Sequence, residues 1–106
     1  MNGDRILRSA NRSLDEIAEY TTERWRARQA KSYLSGLFAR LEQISTDRSL
    51  WRRIPDDYNV EGFYALYRSH IIYWREHPDG MIRIVSILHE RMDQPPRVSS
   101  EFGLKQ

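Results

Sequence analysis

The sequence predicts an α+β fold: an N-terminal strand, an antiparallel helical hairpin, then a three-stranded antiparallel meander. Three observations carry this. Apolar residues recur at helical spacing through residues 14–44. Runs rich in β-branched and aromatic residues follow between 63 and 88. Turn chemistry stands between those runs, at Arg68-Ser69 and at His77-Pro78-Asp79-Gly80.

Ile6-Leu7 is the one apolar pair ahead of the helices and supplies the expected first strand. Ser13 with Glu16 forms a capping box, each side chain answering the other's orphan backbone N–H. Asp15, Glu16 and Glu19 add negative charge near the positive pole of that helix. Leu14, Ile17, Ala18, Thr21 and Trp25 make one face, and the helix is expected to end near Trp25.

Ala30, Tyr33, Leu34, Leu37, Phe38, Leu41 and Ile44 define a second helix through four turns. The short link between the two helices requires a hairpin. Gly36, in the middle of the second, costs ~1 kcal/mol relative to alanine and points to close approach of another backbone.

Residues 45–61 read as a polar connection. Phe63–Tyr67, His70–Arg75 and Met81–Leu88 are then the three strands. The last is apolar on both alternating sets, Ile82, Ile84 and Leu88 on one and Val85 and Ile87 on the other. It is therefore expected to be central and covered on both sides. Residues 1–93 are expected to form one domain, and 94–106, opening Gln94-Pro95-Pro96, a flexible C-terminal tail.

Composition narrows the chemistry. The chain has 106 residues and no cysteine, which excludes disulfides, cysteine–zinc sites and thiol nucleophiles. Its charge is +2, from 17 Lys and Arg against 15 Asp and Glu, and all but Lys31 and Lys105 of the basic residues are arginine. Arginine suits bidentate contact with carboxylates and phosphates. The basic excess lies in residues 1–55, and the second half is net acidic. No apolar stretch is long enough for a membrane helix, and the N-terminus has no signal-peptide pattern, so a cytoplasmic protein is expected.

The glycines stand singly, without a phosphate-cradling loop, and the serines occupy no nucleophile-elbow context. His70, His77 and His89 lack ligand spacing, and no metal or cofactor is expected. One cluster carries possible chemistry. His89 and Arg91 end the last strand and Tyr73 lies on its expected neighbour, a set able to cut RNA through 2′-OH attack. The plainer reading makes them the edge of a protein-binding groove.

Three segments resemble the ParE branch of the RelE/ParE toxin superfamily. They are Leu14-Asp15-Glu16-Ile17 with Tyr20-Thr21, Trp25, Gln29-Ala30 and Tyr33-Leu34; Ser69-His70-Ile71-Ile72-Tyr73 with Arg75; and Ile84-Val85 with Ile87 through Asp93. Arg26, Tyr64 and Ser86 depart from the pattern, the last two standing where many relatives carry arginine. The resemblance implies a toxin of a bacterial type II toxin–antitoxin pair that inhibits DNA gyrase and is not an enzyme. The alternative is a RelE-like ribosome-dependent mRNA endonuclease using His89, Arg91 and Tyr73. The implied partner is a ParD-like antitoxin in a hetero-oligomer, with DNA reached only through it and no membrane involved. The expected target- or antitoxin-binding residues are Tyr33, Phe38, His70, Tyr73, Trp74, Arg75, His89, Arg91 and Met92.

Overall fold

A computed structural model describes residues 12, 14–19 and 27–103. Residues 14–19 are helical (α1). A twenty-residue helix, α2, spans Ala27–Thr46. Four strands follow, β1 Arg52–Arg53, β2 Phe63–Tyr67, β3 His70–Glu76 and β4 Ile82–His89, and then a helix, α3, at Gln94–Gly103. The expected strand at Ile6-Leu7, the capping serine Ser13 and the hairpin link near Trp25 lie outside the described residues.

The strands form one antiparallel sheet in the order β1-β2-β3-β4. β2, β3 and β4 form the expected meander, each within a residue of its predicted bounds, while β1 adds a fourth strand from the stretch read as a polar connection. A two-residue loop joins β2 to β3, Arg68 taking a positive φ of 50°. At the next turn Gly80 takes φ 84°, its N–H bonds the His77 carbonyl at 2.8 Å, and Asp79 Oδ1 accepts from Met81 N at 2.9 Å.

One expectation about β4 changes. Among the described residues β4 pairs with β3, and the expected first strand at Ile6-Leu7 lies outside them. The alternation of β4 is broken. The register passes from Tyr73↔Ser86 to Trp74↔Ile84, which makes Val85 an extra, bulged residue. Ile82, Ile84 and Ile87 therefore share one face, and Val85 and Leu88 the other. Both faces are covered, as the doubly apolar pattern requires.

α2 covers the first face. Tyr33, Leu37, Leu41 and Ile44 pack with Ile72, Trp74, Ile82, Ile84 and Ile87, and Ile17 of α1 joins them. Gly36 admits a side chain rather than a backbone: the Tyr67 ring comes so close that a Cβ there would lie 2.1 Å from its hydroxyl. Trp51 closes the far end, donating from Nε1 to the Ile44 carbonyl at 2.7 Å and packing 4.9 Å from the Phe63 ring.

The segment from Gln94, expected as a flexible tail, is helical through Gly103 and covers the second face. Val98 and Phe102 pack on Ile54, Tyr73, Val85 and Leu88. Pro95-Pro96 does not prevent this, because the first helical turn needs no intrahelical N–H donors. Three polar ties add to it. Gln94 donates to the carbonyls of His89 (2.8 Å) and Met92 (2.9 Å), Ser86 donates to Glu101 at 2.5 Å, and Arg75 donates to the Phe102 carbonyl at 2.7 Å.

Candidate functional site

The pairing of β3 with β4 sets His70 directly opposite His89 at the end of the sheet. Cross-strand partners share a face, and both side chains point to the helical side. Their rings meet edge-on, with centroids 5.3 Å apart. From α2, Tyr33 reaches down so that its hydroxyl lies 2.5 Å from His70 Nδ1. Tyr67 donates to the Tyr33 carbonyl at 3.0 Å, which holds that turn of α2 against the β2–β3 hairpin.

His70 is buried, and loss of hydration together with the nearby His89 pushes its pKa from 6.5 down to about 4. The ring is neutral at physiological pH. Burial also raises the Tyr33 phenol above its usual range, so it keeps its proton. His89 is half-buried, and its Nδ1 accepts the Arg91 backbone N–H at 3.1 Å. That bond uses the Nδ1 lone pair and leaves the proton of the neutral ring on Nε2.

Above this pair opens a cleft of about 490 Å³ lined by Glu16, Ile17, His70, Ile87, His89, Arg91 and Met92. Its walls are largely apolar. Arg91 and Met92 stand exposed in the turn that follows β4. Among the described residues no group of three or more His, Asp or Glu side chains is placed to hold a metal ion.

The structure brings together Tyr33, His70, His89, Arg91 and Met92 from the sequence-predicted set. It separates the others. Tyr73 follows Ile72 on β3 and so faces the opposite side, beneath α3, where it is 2% exposed and donates to Gln94 at 2.8 Å. Burial, then its tyrosine neighbours Tyr58 and Tyr64, holds its pKa far above the usual phenol value. The trio His89, Arg91 and Tyr73 is therefore divided by the sheet. Trp74 is fully buried in the first core and cannot be a contact residue in this conformation. Arg75 is held beneath α3, its guanidinium 5.0 Å over the Phe102 ring. Phe38 is exposed on the outer side of α2, away from the cleft lining.

Sequence reasoning missed Glu16 and Ile17 as cleft residues, because nothing in a helical repeat says which end of a sheet it will meet. Gln94 was also missed. Its amide joins β3, the end of β4 and α3, and the only signal was its place before Pro95-Pro96, a helix-start context. Ser86, one of the departures from the ParE pattern, is buried under α3 against Glu101, so in this chain that position faces its own helix.

Fold and site together define a small α+β protein with a largely apolar cleft at one end of an antiparallel sheet. The family model described as ParE toxin of the type II toxin–antitoxin system, parDE, matches residues 5–94. Toxin ParE1 of Mycobacterium tuberculosis (strain H37Rv) is 31% identical over 86 residues, which covers 80% of this chain and 86% of the relative. Toxin ParE1 of Caulobacter vibrioides is 31% identical over 94 residues, covering 84% of this chain and 90% of the relative. The chain belongs to the ParE toxin family. The match stops where α3 begins.

Proposed function

We propose that this toxin acts in the cytoplasm by binding DNA gyrase, without covalent chemistry of its own, and that a ParD-like antitoxin neutralises it. The observation that carries this reading is the division of His89 and Arg91 from Tyr73. An RNA-cleaving centre needs a proton donor, a proton acceptor and a cation around one phosphate. Here the phenol lies on the far face under α3, and the remaining buried imidazole is a weak base tied to Tyr33. What is left at the end of β4 is a cleft with apolar walls and an arginine rim, which favours protein recognition.

The test runs gyrase supercoiling and mRNA cleavage on programmed ribosomes side by side, against toxin concentration. Inhibition in the first assay with intact message in the second is expected. Ribosome-dependent cleavage that is abolished in His89→Ala would overturn the reading.

A further inference from the structure

A second cleft, of about 570 Å³, opens on the other side of Tyr33 between the first turns of α2 and the β2–β3 loop. Arg28, Gln29 and Ser32 line it from α2, and Arg68 and Ser69 from the loop, with Tyr33 between them. Positions 28 and 32 are one helical turn apart and share a face of α2. Every side chain in the lining can donate a hydrogen bond, and none is a carboxylate.

Among the described residues neither Arg28 nor Arg68 forms an ion pair; the pairs there are Arg48–Glu76 and Arg97–Glu101. Arg68 extends over the Tyr67 ring, 5.8 Å from its centroid, from a backbone with φ 50°. Tyr33, tied to His70, and Tyr67, tied to the Tyr33 carbonyl, give the cleft a fixed wall. We propose that Arg28 and Arg68 form a carboxylate-recognition cleft that receives an acidic side chain of the antitoxin. The inference rests on the reading of this chain as an antitoxin-neutralised toxin.

Charge and shape decide for a carboxylate over nucleic acid. A DNA backbone calls for a row of cations tracking successive phosphates. This lining offers two guanidinia in a bounded cleft, with amide and hydroxyl donors beside them, on a chain whose net charge is only +2. Two planar forks flanking one space match one or two carboxylates held bidentately. The position also matters. Tyr33 walls this cleft and His70 lines the other, and the two residues touch. A single antitoxin segment crossing that point can place an acidic residue by Arg28 and Arg68 and an apolar one against Ile17 and Met92.

The probe is the antitoxin encoded beside the gene for this chain, purified separately and titrated against the full-length toxin. Wild type is expected to bind, with Arg28→Gln and Arg68→Gln each weakening binding by about tenfold and flattening its salt dependence. Arg68→Lys should recover only part of the loss, since it keeps the charge without the fork. Arg68→Gly should bind as weakly as Arg68→Gln with thermal stability undiminished, because glycine accepts the positive φ. One Glu→Gln or Asp→Asn change in the antitoxin should cause a similar loss that does not add to Arg68→Gln. Binding within about twofold of wild type for all four arginine variants would overturn the cleft assignment alone. So would arginine variants that lose affinity for a short DNA duplex while antitoxin binding stands. Failure of wild type to bind the antitoxin would overturn the underlying reading and the inference with it.

Discussion

Tyr33 and His70 are joined by a 2.5 Å contact from phenol oxygen to Nδ1, and this contact fastens α2 to the end of the sheet where both clefts open. Tyr33 is 6% exposed and His70 8%, so the polar pair sits within apolar surroundings. The contact gives the buried His70 Nδ1 its hydrogen-bond partner, and the same hydroxyl lies 3.4 Å from Ser69 Oγ.

The pair makes stability pH-dependent. The unfolded chain takes up a proton at His70 near pH 6.5, whereas the folded chain does so only near about 4. Between those values the unfolded state binds more protons, and stability falls as pH drops through the window. Urea midpoints for wild type and His70→Gln at pH 7, 6 and 5 check this. Wild type should lose stability over that range more steeply than His70→Gln; parallel curves would count against a buried neutral imidazole.

Gly36→Ala should destabilise the protein although alanine is the better helix former by ~1 kcal/mol. The new Cβ would lie 2.1 Å from the Tyr67 hydroxyl and would displace it from the Tyr33 carbonyl. Overpacking and a lost hydrogen bond together outweigh the helical gain, for a net loss of about 1–2 kcal/mol. In a Tyr67→Phe background the obstructing oxygen is gone, and the cost of Gly36→Ala should shrink. Denaturation of the four proteins in that cycle measures the coupling.

Gln94→Ala removes the amide that receives the Tyr73 hydroxyl and bonds the His89 and Met92 carbonyls. The Tyr73 hydroxyl is then left buried without its acceptor. The expected loss is about 2–3 kcal/mol, with Phe102→Ala costing at least as much through the emptied second core. Hydrogen exchange on wild type should show protection across α3. Exchange there at the rate of an unstructured chain would mean that α3 does not stay docked.

Much of this architecture was legible because its signals are local. The helical repeat of α2 and the turn chemistry at Arg68-Ser69 and His77–Gly80 each specify an element within a few residues. Where the structure departs from the local signals, a long-range contact decides the outcome. Tyr73 and Trp74 are expected as contact residues, but the protein has two cores, one on each side of the sheet, and each takes one of them. α3 leaves little mark in composition because only Val98 and Phe102 supply its apolar contact, and its ties to the sheet run through Gln94 to Tyr73 and Glu101 to Ser86. The β4 bulge at Val85 reversed the faces of Ile87 and Leu88, and nothing in the apolar run marks it. The pairing of His70 with His89 follows from the register of β3 on β4, whereas the grouping of His89 and Arg91 with Tyr73 fails because Tyr73 alternates to the opposite face.

His89 and Arg91 give the sharpest functional prediction. On the proposed reading they are contact groups at the mouth of the first cleft, each contributing part of a surface that other residues also build. His89→Ala and Arg91→Ala should each shift the gyrase-inhibition curve to higher toxin concentration, by about 1–3 kcal/mol in apparent affinity, with full inhibition still reached at saturation. The effects should be smaller for Phe38→Ala, which lies outside the cleft lining. A catalytic role would look different: turnover would collapse by ~10²- to 10⁴-fold with binding nearly intact. His89→Ala also removes the acceptor of the Arg91 backbone N–H, so His89→Asn, whose side-chain oxygen can accept that bond, serves as the structural control. If His89→Asn restores the turn but not the inhibition, the imidazole itself meets the target. If it restores both, His89 acts by positioning Arg91 and Met92.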